Sequence, residues 1–150
     1  WNTSEMMNSI DSIGFKRRVG RIGVSYTDHE KLDCLSMNLH DYLKYLKFGY
    51  GRATDSACLD IRNGKISRDE ACRLVERYDG EYPKEAIEKF CQKFNINKDE
   101  FYYLCEPFIN PEIFERNKSA KPNDTKFIID SDGSLVMKDH IIKKRRSSNL

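Results

Sequence analysis

The sequence predicts a mainly α fold, built from several short capped helices and a β-hairpin near the C-terminus. Apolar residues recur at helical spacing in several segments, and serine and asparagine stand where helix N-caps are expected. An Asp-Gly pair separates two short β-forming runs near the end of the chain. We therefore expect a partly extended N-terminal segment (1–37), a helical domain (38–110), and a hairpin followed by a basic tail (111–150).

The N-terminal segment carries the weakest periodicity. Residues 15–26 are basic and contain glycines, which lower the odds of a long helix and favour extended backbone. Ser25-Tyr26-Thr27-Asp28 has the composition of a turn, and a short helix is predicted around Glu30–Leu35.

The clearest helix is predicted to begin at Asn38, its expected N-cap, and to stop at Gly49 or Gly51, where left-handed backbone costs little. Lys44 and Lys47 lie away from its apolar stripe. The residues of that stripe, at the spacing i, i+3, i+4 and i+7, are Leu39, Tyr42, Leu43 and Leu46.

Further helices are predicted from the signals at their ends. The signals that open them are Thr54, the capping boxes Ser67-Arg68-Asp69-Glu70 and Asn97-Lys98-Asp99-Glu100, and Pro83. The first of these helices runs from Asp55 to about Arg62 and is closed by Asn63-Gly64, and the second ends at Gly80. The residues expected to face inward on the later ones are Ala71, Leu74, Val75, Tyr78, Ala86, Ile87, Phe90, Phe94, Phe101, Leu104, Cys105 and Phe108.

The C-terminal part is predicted to hold the hairpin. Phe127-Ile128-Ile129 and Leu135-Val136-Met137 are the β-forming runs, and Asp130-Ser131-Asp132-Gly133-Ser134 between them suits a tight turn. The same turn lacks the later acidic ligand of a calcium loop, since residue 141 is Ile141, so no metal site is expected there. From Lys143 the chain is basic and polar, and we expect a mobile tail.

The bulk composition narrows the class of protein. A chain of 150 residues with 39% hydrophobic content can form one domain with a modest core. The net charge of +2 argues against a protein built mainly to bind nucleic acid or an anionic membrane, although Arg17, Arg18, Arg21 and the Lys143–Arg146 tail offer a local basic surface. No apolar stretch approaches the roughly 20 residues of a membrane helix. The five cysteines form no CxxC pair and are expected to be reduced and mostly buried, which suits the cytoplasm.

The loop between the first two predicted helices of the central domain suits a multiply charged anion. Free N–H groups and the positive end of the dipole lie at a helix start, and Gly49 and Gly51 allow close backbone approach. Arg52 offers a planar fork for phosphate oxygens and Lys47 a point charge. Asp55 could hold a magnesium ion that arrives with a nucleotide.

Other interpretations of the same residues remain open. Arg52 can simply pair with Asp55 or Asp60 in a helix–helix turn. The capped amphipathic helices, with exposed aromatic residues such as Tyr102 and Tyr103, also suit a non-catalytic helical protein-interaction module.

Several motifs resemble one family of enzymes. The motifs are His40-Asp41-Tyr42, Lys47-Phe48-Gly49-Tyr50-Gly51-Arg52-Ala53-Thr54, Asp60-Ile61-Arg62-Asn63-Gly64-Lys65-Ile66-Ser67-Arg68-Asp69-Glu70-Ala71 and Leu74-Val75-Glu76-Arg77-Tyr78-Asp79-Gly80. Together with Ser25-Tyr26-Thr27-Asp28, Lys31-Leu32-Asp33, Glu81-Tyr82-Pro83 and Asp99-Glu100-Phe101, they span roughly residues 25–105. This stretch resembles the C-terminal part of bacterial N-acetyl sugar amidotransferases, which belong to lipopolysaccharide and surface-glycan biosynthesis and to the PP-loop ATP pyrophosphatase superfamily.

The resemblance implies a reaction and a set of site residues. ATP, with Mg²⁺, would activate the N-acetyl group of a nucleotide-linked sugar, and ammonia from a glutaminase/synthase pair would then give an acetamidino sugar. Lys47 and Arg52 would stabilise the departing pyrophosphate and count as the catalytic residues. Gly49, Gly51, Thr54 and Asp55 would bind the cofactor, and Tyr50 and His40 the substrate.

The chain also departs from the family pattern. The Ser-Gly-Gly-x-Asp-Ser nucleotide loop of the superfamily does not occur in it, and Asp55-Ser56 follows Ala-Thr where relatives often carry His or Ser-Asp. We therefore expect the C-terminal portion of a larger α/β PP-loop enzyme, inactive as an isolated chain, and we leave open whether it forms a homodimer.

Overall fold

The computed structural model describes residues 2–19, 23–116, 129 and 135–147, and over these ranges the chain is mainly helical, as predicted. The helices are α1 (Thr3–Asp11), α2 (Ser36–Phe48), α3 (Arg52–Arg62), α4 (Arg68–Tyr78), α5 (Lys84–Phe94), α6 (Lys98–Cys105) and α7 (Asp139–Ser147). A 3₁₀ turn (Glu106–Phe108) follows α6, and two short strands, β1 (Phe114–Arg116) and β2 (Leu135–Met137), form the sheet. Within the described ranges, no helix has both the length and the apolar character needed to cross a membrane.

The main core lies where α2 packs against α5 and α6. Leu46 and Ile87 are fully buried, and Phe101 is nearly so. Burying a side chain of this size contributes about 1.5–3 kcal/mol each, so these contacts carry much of the stability of the domain. The hydroxyls of Tyr82 and Tyr102 hydrogen-bond each other at 2.6 Å beside the core. Tyr102, which was predicted to be exposed, is therefore buried and partnered.

Helices α3 and α4 form an antiparallel hairpin beside this core. As predicted, α3 ends at Arg62 and Asn63-Gly64 makes the turn, with Gly64 in the left-handed region at φ +67°. Ser67 accepts a hydrogen bond from the N–H of Glu70, which confirms the predicted cap of α4. The capping box of Asn97 and Glu100 is complete in both directions at the start of α6.

The strand pairing differs from the prediction. Leu135–Met137 is a strand, as predicted, but it pairs antiparallel with Phe114–Arg116, in the register Phe114 with Met137. The sequence between Pro111 and the tail gives no alternating pattern at residues 114–116, so β1 was missed. Of the predicted first strand only Ile129 is described, and it is fully buried outside any strand. Phe127, Ile128 and the predicted Asp130–Ser134 turn lie outside the described residues.

Several predicted helix ends were wrong. Helix α2 begins at Ser36, so Asn38 lies inside it and is buried instead of capping it. Helix α3 begins at Arg52 with Gly51 as its N-cap, which places Thr54 in the first turn. Pro83 is the N-cap of α5 and not its first residue.

Two segments adopt a different secondary structure from the prediction. The helix predicted at Glu30–Leu35 is absent, because Lys31 takes a left-handed conformation at φ +55° that interrupts any helix there. Residues 3–11, expected to be irregular or extended, form α1, which Asn2 caps by accepting from the N–H groups of Ser4 and Glu5. Of the tail expected to be mobile from Lys143, residues 143–147 belong to α7, and the rest lies outside the described residues. Arg146 in that helix pairs with Glu76 at 2.8 Å.

Some residues expected to face the core are exposed instead. Phe94, Leu104 and Phe108 are all more than half exposed, and each lies at or next to the last residue of its helix. Among the cysteines, Cys91 and Cys105 are buried as expected, whereas Cys34 and Cys58 are exposed.

Candidate functional site

The predicted anion-binding loop connects α2 to α3. Helix α2 ends as predicted at Gly49, whose φ of +78° is the left-handed conformation that glycine adopts without strain. Gly51 is extended and caps α3. The guanidinium of Arg145 on α7 donates to the carbonyl oxygen of Gly49, so the C-terminal helix fixes the loop from the other side. The loop is thus a rigid connection between two packed helices.

The N-terminus of α3 already holds a carboxylate. Asp79, just after α4, accepts hydrogen bonds from the N–H of Gly51 at 2.8 Å and from the hydroxyl of Thr54 at 2.5 Å. It also lies 3.4 Å from the N–H of Thr54. A Cβ on Gly51 would come within 2.7 Å of the Asp79 carboxylate. The N–H groups that the sequence assigns to a phosphate are therefore occupied by this internal carboxylate, and Gly51 makes its close approach possible.

Arg52 points away from that cap toward the segment before α2. Its guanidinium makes a two-pronged ion pair with Glu30, at 3.0 Å from Nε and 2.5 Å from Nη2. Burial by itself raises the pKa of Glu30, but the hydrogen bonds and charge of Arg52 outweigh it and hold that pKa below its ordinary value. Asp55, one of the partners expected from the sequence, has its carboxylate 4.0 Å from Nη1 of Arg52, which is a longer contact than that with Glu30.

Two lysines complete a cation cluster with Arg52, which we define as Lys31, Lys44 and Arg52. The ammonium of Lys44 lies 2.6 Å from Asp55 and 4.5 Å from the centre of the Tyr50 ring. Lys31 forms a buried ion pair with Asp41. Burial, with repulsion from Arg52 and Lys44, lowers the pKa of Lys31 to about 8.

The other predicted site residues lie at the rim. Lys47 is exposed and its ammonium sits 5.2 Å from the centre of the Phe48 ring. His40 is mostly exposed, with its Nδ1 3.4 Å from Asp41. Tyr50 is partly exposed and lines an apolar cleft of about 550 Å³ between α3, α4 and α7. The structure thus brings together Arg52, Asp55 and Tyr50 around Lys44 and leaves Lys47 and His40 outside.

Sequence reasoning missed five residues of this site: Glu30, Lys31, Asp41, Lys44 and Asp79. Each is separated along the chain from the group it contacts, by 28 residues in the case of Asp79 and Gly51. No local spacing encodes such a contact. The signal that could have found three of them is the family resemblance, because Lys31, Asp41 and Asp79 lie within its motifs.

Each cation of the cluster is paired with a carboxylate, so an anion could bind Arg52 and Lys44 only by displacing Glu30 and Asp55. A magnesium ion would need carboxylate ligands. Within the described residues, no group of three or more acidic, histidine or cysteine side chains is placed to hold a metal ion. Asp55 alone would have to contact a metal that the nucleotide itself carries.

A second, partly open cavity is lined in part by Glu30. It has a volume of about 400 Å³, and its other walls come from α1, the segment before α2, α3 and the turn after α3. We call it the polar cavity, and its lining residues are Thr3, Ser4, Met7, Asn8, Arg17, Tyr26, Thr27, Asp28, His29, Glu30, Ser56, Leu59, Asp60 and Lys65.

Comparison with known families gives one match. The model of the family described as LPS biosynthesis protein WbpG-like, C-terminal domain, matches residues 23–127, which is well over half of the chain. The match covers α2 to α6, the loop between α2 and α3, and all of the cation cluster. A search of curated proteins finds no significant match.

Proposed function

Since the chain belongs to the WbpG-like C-terminal domain family of lipopolysaccharide biosynthesis proteins, we propose that it is the C-terminal region of an ATP-dependent N-acetyl sugar amidotransferase. The acetamido oxygen of a nucleotide-linked sugar would attack the α-phosphate of ATP and release pyrophosphate. Ammonia, supplied by a glutaminase/synthase pair, would then add to the activated carbon and displace AMP. The product is an acetamidino sugar, and the reaction belongs in the cytoplasm, where ATP and nucleotide-linked sugars are found.

The observation that carries the proposal is the cation cluster at the start of α3. Lys31, Lys44 and Arg52 approach one another inside the family-matched region, and each is held by a carboxylate: Asp41, Asp55 and Glu30. Such pairs keep cations positioned and partly desolvated before a ligand arrives. A phosphate would have to displace Glu30 to bind the guanidinium of Arg52.

The roles of individual residues follow from their exposure. Arg52 is 30% exposed and Lys44 is 19% exposed, so both can be reached from solvent at the mouth of the loop. Lys47 stands on the rim, where it would meet the outermost phosphate. Bound ATP would supply the leaving group, while these residues orient it and stabilise the charge that develops on pyrophosphate.

The test uses the full-length enzyme that contains this chain, with ATP, a nucleotide-linked N-acetyl sugar and ammonium chloride. The readouts are pyrophosphate release and mass spectrometry of the sugar. We expect Arg52→Ala to lower kcat by about 10²-fold or more, because it removes a donor aimed at developing charge. Arg62→Ala, which changes an exposed arginine at the other end of the same helix, is the matched control and should leave turnover unchanged.

A companion variant separates a catalytic role from a structural one. Glu30→Gln breaks the same ion pair but leaves the Arg52 guanidinium available. If Arg52 acts on phosphate, Glu30→Gln should retain most of the turnover that Arg52→Ala loses. Equal losses in the two variants, or near wild-type turnover in Arg52→Ala, would contradict the proposed role.

A second candidate function, a protein-interaction module, rests on a different surface. Tyr103, Leu104 and Phe108 are between 57% and 70% exposed on α6 and the 3₁₀ turn after it. Apolar side chains this exposed often mark a contact with another protein. A second copy of the chain is the simplest occupant to test, by sedimentation of wild type and of Leu104→Glu. A sedimentation coefficient that does not change with concentration would remove the homodimer.

A further inference from the structure

Two cysteines line the apolar cleft between α3, α4 and α7. Cys58 lies on α3 and Cys72 on α4, and both contribute to the wall of this cleft. Cys58 is exposed and Cys72 is half-buried, and both are free thiols. Neither belongs to the apolar core or to the cation cluster. What these two thiols can do depends on how α3 and α4 place them relative to each other.

One end of the α3–α4 hairpin sets Cys58 opposite Cys72. The N–H of Gly51 donates to the carboxylate of Asp79 at 2.8 Å, so these two residues lie at the same level of the hairpin. Cys58 follows Gly51 by seven residues, and Cys72 precedes Asp79 by seven. Seven residues make about two turns of an α-helix, so each cysteine lies on the same face of its helix as the residue that makes this contact.

The turn at the other end of the hairpin gives the same register. Cys58 lies four residues before Arg62, the last residue of α3, and Cys72 lies four residues after Arg68, the first residue of α4. The two helices are joined by residues 63–67 and pack against each other. The register is therefore fixed at both ends, and it places the two cysteines level on neighbouring helices.

Small residues bring the two helices close together beside the cysteines. Ala57 and Ala71 are 2% and 3% exposed, and they immediately precede Cys58 and Cys72. Alanine at a contact allows two helix axes to approach to about 8 Å, the lower end of the usual range. Since Cα atoms lie about 2.3 Å from each axis, level residues on facing sides are then about 4–7 Å apart. A disulfide spans the same separation.

We propose that Cys58 and Cys72 are a reversible modification site, which closes to an intramolecular disulfide on reaction with a small-molecule disulfide such as oxidised glutathione. Cys58 is the attacking thiol because it is exposed, and Cys72 is the resolving thiol beside it. The cleft, with a volume of about 550 Å³, gives room for one end of the incoming disulfide. In reducing compartments, disulfides are mostly of this transient kind.

The reaction consists of two thiol–disulfide exchanges. The thiolate of Cys58 attacks one sulfur of oxidised glutathione, which forms a mixed disulfide and releases one glutathione thiolate. The thiolate of Cys72 then attacks Sγ of Cys58, which closes the bond between the two cysteines and releases the second glutathione thiolate. The protein gives up two electrons and two protons, and oxidised glutathione takes them up to become two molecules of glutathione.

The disulfide would stabilise the hairpin that carries the candidate site. It closes a loop over residues 58–72, which restricts the unfolded chain and so favours the folded one. Arg52 and the Asp79 cap lie at the open end of the same hairpin. Oxidation would therefore fix α4, and with it Asp79, against α3. This inference goes beyond the proposed function and does not depend on the amidotransferase reaction.

The experiment treats the reduced full chain with oxidised glutathione at pH 8 and follows intact mass and non-reducing peptide maps. Cys34→Ser is the parent protein, because it removes the other exposed thiol. We expect the parent to lose two hydrogens and to give a peptide pair joined through Cys58 and Cys72. The bridge should raise Tm by about 5–10 °C, and dithiothreitol should reverse the increase.

The matched control adds Cys72→Ser to the parent protein. Without the resolving thiol, this variant should keep one glutathione on Cys58 and show no such increase in Tm. A mixed disulfide that persists on Cys58 in the parent as well would show that Cys72 does not reach it, and the inference would be wrong. A bridge from Cys58 to another cysteine or to a second copy of the chain, or an unchanged Tm after bridging, would also overturn it. Failure of the proposed reaction would instead appear in pyrophosphate release and would leave this bridge unaffected.

Discussion

The carboxylate of Asp79 occupies hydrogen-bond donors at the start of α3. It accepts hydrogen bonds from the N–H of Gly51 and from the hydroxyl of Thr54, so it caps the helix although it is distant along the chain. We expect Asp79→Ala to lower the free energy of unfolding by about 1–2 kcal/mol, which is the usual cost of losing a charged N-cap. Urea unfolding of the two proteins measures the difference.

The same variant tests whether the start of α3 binds an anion once the carboxylate of Asp79 is removed. With Asp79 removed, the free N–H groups of α3 should bind inorganic phosphate, and phosphate should raise the unfolding midpoint of Asp79→Ala more than that of wild type. Asp33→Asn changes an exposed acid away from this helix and serves as the control. An equal effect of phosphate on all three proteins would show that this helix end does not attract anions.

Glu30 should give the stability of the protein a specific acid dependence. Arg52 holds the folded pKa of Glu30 below its ordinary value of 4.5, so the unfolded chain takes up the proton first as the pH falls. The stabilisation is therefore complete above about pH 4.5 and is lost as the pH falls through the folded pKa. Glu30→Gln should cost about 1–2 kcal/mol at pH 7 and progressively less toward pH 3.

Urea unfolding of wild type and Glu30→Gln between pH 3 and pH 7 checks this expectation. Glu112→Gln, an exposed glutamate outside the cluster, should show no such convergence at low pH. A difference between wild type and Glu30→Gln that stays constant across the range would mean that the ion pair does not shift the pKa of Glu30.

At the scale of whole elements, the connection between α4 and α5 fits closely against α2. Gly80 in this connection has a φ of +82°, and a Cβ there would overlap the ring of Tyr45. Gly64, in the turn between α3 and α4, has a similar φ of +67° but open space around it. Gly64→Ala should cost about 1 kcal/mol from the left-handed backbone alone. Gly80→Ala should cost about 1–3 kcal/mol more, because Tyr45 must also move.

Chemical denaturation of the two glycine variants measures both costs. The comparison isolates the steric term, because the backbone term is nearly the same in the two positions. Equal destabilisation would mean that Tyr45 moves aside without cost and that the contact between this connection and α2 is loose.

The helix ends that sequence reasoning predicts well are those with a local signal. Helix α6 starts at its capping box, and α2 ends at the left-handed Gly49, whereas the uncapped start of α2 was predicted wrongly. These features act within a turn or two of the chain, so the sequence displays them directly. Helix α1 was missed although Met6, Met7 and Ile10 stand at helical spacing and Asn2 is a capping residue.

The strand pairing and the site could not be read from the sequence in the same way. Strands β1 and β2 are only three residues each, and their partners are far apart along the chain. Of the cation cluster, Arg52 alone was predicted as a site residue, and its main partner Glu30 comes from another segment of the chain. Arg52 pairs with Glu30 instead of Asp55 because of the tertiary packing, and the spacing of residues along the chain does not predict that partner.

At the scale of the whole molecule, the candidate site and the apolar core lie on different elements of the described chain. The cation cluster and the polar cavity lie along the start and one face of α3, whereas the core lies between α2, α5 and α6. The family match runs through both regions and stops short of α1 and α7.

The cysteines provide a direct test of this arrangement. Cys34 and Cys58 are exposed, whereas Cys91 and Cys105 belong to the core, where burial raises the pKa of both thiols and that of Cys105 to about 11. At pH 8 iodoacetamide should modify the two exposed cysteines first and the two core cysteines at least about 10²-fold more slowly, since only an exposed thiolate reacts. Intact-mass spectrometry counts the labels with time.

The double variant Cys34→Ser and Cys58→Ser is the control and should remove the fast phase alone. Low concentrations of urea should speed the slow phase in step with global unfolding, because the core thiols are exposed only when the core opens. Modification of Cys105 as fast as Cys34 would show that α5 and α6 detach from α2 in the native protein, and the stable core described above would have to be abandoned.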